Sequence, residues 1–257
     1  MHTETSIPPL PCYLNGEFTS LDQARISVLD RGFIFGDGIY EVVPVYQGQP
    51  FRLGQHLARL SRSLAEVRIQ SGLSDLQWRA IIRNLLERHA AFTQDSRADQ
   101  LIYIQVTRGV AMRDHVMTAG ITPTIFVMVN RLKQPGDQER QQGVACITAE
   151  DFRWERAHIK STSLLGAVFA RQMSYDVGAM ETIMFRKGYL SEAAASNVWV
   201  VRDSKVSGTP PDNLVLEGIR YGLIEELCAQ QQIVFELRRI TRSEEHTSEL
   251  QSPDHLV

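Results

Sequence analysis

The apolar residues of the first 131 positions follow two different spacings in turn, which restricts this part of the chain to a mixture of sheet and helix. Residues 39 to 46 read as a strand that turns at Gln47-Gly48-Gln49 into Phe51, and residues 101 to 107 and 125 to 129 are equally rich in strand-forming side chains. Between them, Leu57, Leu60, Leu64 and Val67 recur at helical spacing. So do Trp78, Ile81, Ile82, Leu85 and Leu86, behind the capping pattern Ser74-Asp75-Leu76-Gln77. Tyr13 to Phe18 reads as a tight hairpin about Asn15-Gly16. The polar run Leu132 to Asp137, broken by Pro135-Gly136, is the best interdomain link, so residues 1–133 are expected to form an N-terminal α+β domain.

Beyond the link the pattern predicts a strand near 144–148, a helix over about 163–177 and a hairpin around Arg186-Lys187-Gly188. A strand at 198–201, a helix over about 219–229 and a strand near 233–237 follow. Residues 134–241 thus read as a C-terminal mixed α/β domain, and the fold class as α+β or α/β with two domains. Residues 242–257 stand apart. The eleven residues from Arg242 to Ser252 match, codon for codon, the in-frame translation of a common sequencing-library adapter. This tail is therefore expected to be an artefact, with native sequence stopping near Thr241 and the second domain truncated.

The remaining bounds are broad. A chain of 257 residues can bury roughly three quarters of its unfolded surface, enough for two cores. No apolar run is long enough to cross a bilayer, and a net charge of −3 gives no electrostatic reason to expect nucleic acid. Small molecules are the expected partners. Cys12, Cys146 and Cys228 are odd in number and lack paired metal spacing, so no metal is expected. The N-terminus shows no charged-then-apolar leader, and together these features suit a reducing cytoplasm.

The chemistry is suggested by residue types. Lys160 stands between Ile159 and Ser161-Thr162, with Leu164, Leu165, Val168 and Phe169 following at helical spacing. This predicts an amine mounted where a strand runs into a buried helix. Taken alone it would more often be one of many solvated lysines. Glu192, after a hairpin strand and before Ser196-Asn197, could hold a cationic ring nitrogen; alone it could be a surface acid or a helix-start charge. Arg59 lies beside the apolar stripe of its helix, where its fork could bind a phosphate, against an even alternative of a solvated arginine. In Arg108-Gly109-Val110-Ala111-Met112-Arg113-Asp114-His115 the cations fit a carboxylate clamp on a loop, or equally a turn stapled by an Arg113 to Asp114 contact. A reactive amine, an acid and cations for two anions are what pyridoxal-phosphate chemistry on an amino acid demands.

Several segments carry a family resemblance. Asp30 to Glu41 (containing Gly36-Asp37-Gly38), Gln105 to Gly109, Ile159 to Gly166, Glu192 to Asn197 and Leu214 to Ile219 resemble, in order and spacing, the fold-type IV pyridoxal-phosphate enzymes. Among these they are most like the D-amino-acid (D-alanine) aminotransferases. The resemblance implies Lys160 as Schiff-base lysine, Glu192 as the pyridine-nitrogen acid and Arg59 as a phosphate ligand. It also implies Leu216 against the cofactor ring, Ile219 as a backbone phosphate donor, and Ser196, Asn197 and Arg220 as further cofactor neighbours. Tyr40, Arg113 and His115 match the trio that holds the substrate carboxylate in D-specific members. Ala195 and Arg220 depart from the serine and threonine of some members, and a second phosphate loop expected after Ile240 is displaced by the adapter-like tail. The implied activity is transfer of an amino group between D-alanine or D-glutamate and 2-oxoglutarate or pyruvate, by a homodimer with its site between the two domains. The branched-chain L-aminotransferases and the aminodeoxychorismate lyases share the scaffold and stand as alternatives. An inactive truncated fragment is the alternative of another kind.

Overall fold

The short-range signals at the N-terminus act as written. Asn15 and Gly16 both take positive φ, 50° and 102°, which turns β1 (Pro11–Leu14) back onto β2 (Glu17–Ser20) with Tyr13 opposite Phe18. The computed structural model describes residues 7–245 and 249–251. Residues 246–248 and 252–257 of the adapter-like tail, and residues 1–6, lie outside the described residues.

The chain divides into two compact units, the first comprising Met1–Lys133 together with Lys160–Ser163 and the second Gln134–Ile159 with Leu164–Val257. In the first unit a short helix α1 (Arg31–Phe35) leads into β3 (Gly38–Tyr46) and β4 (Gln49–Pro50). Two helices follow, α2 (Leu53–Glu66) and α3 (Asp75–Thr93), then β5 (Gln100–Thr107) and β6 (Thr124–Arg131). The six strands form one antiparallel sheet in the order β2-β1-β6-β5-β3-β4, with Gly38 opposite Thr107 and Gln100 opposite Arg131. Alternation along β3 buries Ile39, Val43 and Val45, which share the core with Ile102, Ile104, Val106, Val127 and Val129 of the neighbouring strands. The stripes Leu57, Leu60 and Leu64 of α2 and Trp78, Ile81, Ile82 and Leu85 of α3 are buried too, each contributing about 1.5–3 kcal/mol relative to exposure. The capping box that starts α3 is formed, Ser74 Oγ accepting from Gln77 N and Gln77 Oε1 from Ser74 N.

In the second unit, α4 (Asp137–Gln142) precedes β7 (Cys146–Glu150), α5 (Leu165–Asp176), β8 (Glu181–Arg186) and β9 (Tyr189–Ala193). Strands β7 and β8 are parallel, so α5 serves as the crossover that a parallel pair requires, and β9 closes a hairpin on β8. A second sheet, in the order β12-β11-β10-β13, repeats the device. It contains β10 (Trp199–Arg202), β11 (Lys205–Gly208) and, across α6 (Arg220–Gln230), the parallel β12 (Val234–Leu237). After α7 (Arg242–Glu245), backbone 249–251 forms β13 (Glu249–Gln251) against β10. Ile183, Phe185, Leu190, Ala193, Val198, Val200 and Ile240 make one core of this unit.

One expectation needs correction here. Helix α5 is not buried on its apolar side. Leu165, Val168 and Phe169 are 58–68% exposed, and only Ala170 and Ser174 of the helix are covered. The helical spacing was real, but in a single chain the small residues, not the large ones, face β8.

Candidate active site

Gly36-Asp37-Gly38 sets up the cluster of the first unit. Gly36 ends α1 with φ 63°, and Asp37 is gripped by two arginines: Arg108 through Nε and Nη2 at 2.8 and 3.0 Å, and Arg31 through Nε at 2.8 Å. Burial pushes the Asp37 carboxyl up, but the hydrogen bonds and charges of Arg108 and Arg31 outweigh it and hold its pKa below the usual value. At Gly38 the backbone is approached from both sides, since a β-carbon there would lie 3.0 Å from Val106 O and 3.2 Å from Thr162 Oγ1. The Lys160 segment uses that approach. Tyr40 N donates to Lys160 O and Thr162 N to Gly38 O, both at 2.9 Å, while Thr162 Oγ1 and Ser163 Oγ donate to Gly36 O. Lys160 is thereby laid along the start of β3 as an extra length of strand bridging Ile39 to Ser161. Its amine, part-buried, donates to the Tyr40 hydroxyl at 3.3 Å and stands 4.3 Å from the centre of that ring.

Directly after Tyr40, on the inward face of β3, comes a residue that the apolar alternation leaves no reason to expect. Glu41 is fully buried, where its neighbours two away are Ile39 and Val43. Helix α2 answers it with His56 and Arg59 from its buried side: Arg59 Nε and Nη2 reach Glu41 at 2.9 and 2.6 Å, and His56 Nδ1 lies 3.1 Å from Glu41 Oε1. Burial raises the Glu41 pKa, yet the hydrogen bonds of His56 and Arg59 and the charges of Arg59 and Lys160 bring it down to about 2. Burial is the largest cause acting on His56 and lowers its pKa from the usual value, and its Nε2 is buried without a hydrogen-bond partner among the described residues. Arg59 is accordingly not the solvated helix arginine; Glu41 fixes its orientation.

The loop after β5 behaves differently from its sequence reading. Arg108 is buried and structural, its Nη1 and Nη2 donating to Arg68 O and Val67 O at the end of α2. Arg113 and His115 are exposed, and among the described residues neither makes a hydrogen bond or ion pair. Both rings and charges lean on Phe35, at 5.5 and 5.2 Å. The supposed Arg113 to Asp114 staple does not form; instead Arg31 Nη1 donates to Asp114 O. Tyr40 contacts Lys160, not Arg113 or His115.

In the second unit Glu192 is neither a surface acid nor a helix-start charge. It is buried within β9. Its Oε1 accepts from Arg153 Nη1 at 2.5 Å and its Oε2 from Asn197 Nδ2 at 3.0 Å and Leu216 N at 3.2 Å. Asn197 also donates to Leu216 O, which ties the acid to the turn ahead of α6, and this turn tolerates no side chain at Gly218, where a β-carbon would meet Asn197 Oδ1 at 2.1 Å. Ile219 is the N-cap of α6 and Arg220 its first residue, while Ser196 Oγ donates to Glu181 at 3.3 Å. Glu41, His56, Asp37 and Arg153 are the functional-looking residues that a sequence reading passes over. The available signal was a charged residue or histidine within an apolar stripe, as at Glu41 and His56.

A family model described as amino-transferase class IV matches residues 38–250. The chain belongs to the class IV aminotransferases. It is 35% identical to a D-alanine aminotransferase of Bacillus licheniformis over 90% of this chain and 79% of that protein. It is 34% identical to one of Staphylococcus haemolyticus over 89% and 79%. The fold matches a branched-chain aminotransferase of Thermoproteus uzoniensis with TM-score 0.85 at 19% identity, covering 96% of this chain and 84% of that one. It also matches a fold IV transaminase of Curtobacterium pusillum with TM-score 0.80 at 22% identity, covering 92% and 79%. As a class IV aminotransferase the chain is an amino-group transferase of fold type IV, and its cofactor is pyridoxal 5′-phosphate. Each unit's donors fit that group: the first has a part-buried amine on a locked backbone and a buried imidazole nitrogen with no hydrogen-bond partner among the described residues, and the second has a buried carboxylate that accepts from Arg153. No described helix is long and apolar enough to cross a membrane.

Proposed function

We propose that this class IV aminotransferase moves the amino group of a D-amino acid, D-alanine or D-glutamate, to a 2-oxo acid, 2-oxoglutarate or pyruvate. The observation that carries the reading is the Lys160 amine, mounted on β3 by two backbone hydrogen bonds and placed 3.3 Å from the Tyr40 hydroxyl. The identities of 34–35% to D-alanine aminotransferases support the choice of stereochemistry. Pyridoxal phosphate, when bound, supplies an aldehyde that captures the substrate amine and a ring that draws electrons from the α-carbon. Lys160 would hold the cofactor, and its amine would take the substrate's α-proton and return it. Glu192 holds the proton on the ring nitrogen. Arg59, Ser196, Asn197, Ile219 and Arg220 hold the phosphate and ring, with the α6 N-terminus suited to an anion and Leu216 against the ring. Tyr40, Arg113 and His115 bind the substrate carboxylate, for which Arg113 offers a planar fork.

A homodimer belongs to the same proposal, since Arg113 and His115 stand exposed and α5 presents Leu165, Val168 and Phe169 to solvent. Borohydride reduction of the loaded enzyme followed by peptide mass mapping tests the lysine: the cofactor mass should land on Lys160 and disappear in Lys160→Ala. Separate assays of D-alanine and L-leucine with 2-oxoglutarate test the substrate. Turnover of L-leucine alone would transfer the reading to the branched-chain class.

A further inference from the structure

Glu192 belongs to a largely buried cluster of four charges with Asp151, Arg153 and Arg186. Asp151, in the segment leaving β7, accepts Arg153 Nε on Oδ1 at 3.0 Å and Arg153 Nη2 on Oδ2 at 2.9 Å. Arg186 at the end of β8 reaches the same Asp151 Oδ2 at 3.3 Å and also donates to Arg153 O at 2.8 Å. The Arg153 guanidinium is therefore fixed on one edge by a bidentate carboxylate, which leaves Nη1 directed at Glu192 Oε1. Room for its stem comes from Gly166 on α5, where a β-carbon would lie 3.1 Å from Arg153 Cγ.

We propose that Arg153 is the positioning residue of the ring-nitrogen acid: anchored by Asp151, it orients Glu192 and keeps it anionic. The inference rests on the assignment of Glu192 under the proposed function. The physical reason is burial. Glu192 is only 5% exposed, and a carboxylate so placed without a counter-ion takes up a proton instead of remaining charged. A neutral acid cannot hold a second proton on a ring nitrogen. Arg153 Nη1 brings a full positive charge to Oε1, whereas Asn197 Nδ2 and Leu216 N on Oε2 are neutral donors. Asp151, left beside Glu192 with one arginine fewer, would push the acid further toward its neutral form.

The test compares Arg153→Gln, Arg153→Lys, Glu192→Gln and the double variant Arg153→Gln with Glu192→Gln, all as cofactor-loaded protein. The readouts are the pH titration of the bound cofactor's visible absorption, kcat for D-alanine, and thermal unfolding. Arg153→Gln should shift the spectral titration in the same direction as Glu192→Gln and lower kcat by about tenfold to a hundredfold, the range seen for partners that orient a ligating group. Arg153→Lys should recover part of both effects. The double variant should be no worse than Glu192→Gln, because the two act as one unit. If Arg153→Gln does not fold, Arg153→Lys carries the test with a smaller shift in that same direction. A Glu192→Gln spectrum like that of the wild type would overturn the assignment of the acid itself. A shifted Glu192→Gln beside unshifted Arg153 variants, or additive losses in the double variant, would overturn the role of Arg153 alone.

Discussion

A carboxylate on the inward face of β3 survives only through its partners, so Glu41 is where single-residue chemistry is most exposed to test. Removing one member of a buried pair leaves an uncompensated charge, and Glu41→Gln should destabilise the protein by about 3 kcal/mol. The pH dependence follows from the direction of the shift. The folded pKa of Glu41, about 2, lies below the ordinary 4.5, so its stabilisation is present above pH 4.5 and is lost as pH falls toward 2. Urea midpoints measured through that window should therefore converge for the wild type and Glu41→Gln, and parallel curves would contradict the pairing. His56, also shifted down, has the same sign at higher pH: its neutral form favours the fold above pH 6.5 and this advantage fades below it. None of this was legible in the sequence. Glu41 and His56 could be seen, but a sequence gives residue types in order, and their meaning came from β3 and α2 placing three of them within hydrogen-bond reach. Lys160 and Glu192 stand out in the sequence because motif context surrounds them.

Elements were readable wherever local signals decide. The hairpin at Asn15-Gly16 and the capping box at Ser74 are written within four residues each, and both are formed. Replacing Ser74 by alanine should cost about 1 kcal/mol, read as a lowered thermal midpoint with unchanged turnover. Helix α5 shows where local signals stop. Its spacing gave the helix, but which side is covered depends on β8 and on whatever else packs there. A strand at Lys160 could be read, but its partner was hidden, because Ser161 pairs with Ile39 across more than a hundred residues of sequence. That seating makes a prediction of its own. Gly38→Ala would press a β-carbon onto Val106 O and Thr162 Oγ1, so it should loosen the Lys160 segment as well as β3. Hydrogen exchange at the Tyr40 and Thr162 amides should rise in this variant, and unchanged protection would show that the strand absorbs the methyl group.

At the scale of the whole molecule, the exposed groups argue most directly. Arg113 and His115 lean on Phe35 in solvent, while Tyr40, their expected partner in substrate binding, is engaged with Lys160. If a second copy supplies one half of the carboxylate site, variants damaged in different halves should repair one another. Lys160→Ala and Arg113→Ala would each be nearly inactive alone. Co-expressed with two different tags and purified through both, the mixed dimer would contain one site with an intact lysine from one chain and an intact arginine from the other. Activity should then return to about half that of the wild type per dimer, because symmetric pairing of two chains builds two equivalent sites and only one is repaired. Phe169→Glu on α5 serves as the companion experiment, placing a charge in the exposed apolar set and shifting the sedimentation of the protein toward the monomer. A mixed dimer that forms but stays inactive would place lysine and arginine in the same chain's site. Recovery in the mixed dimer, lost again when Phe169→Glu separates the subunits, would require that the site be built across the pair.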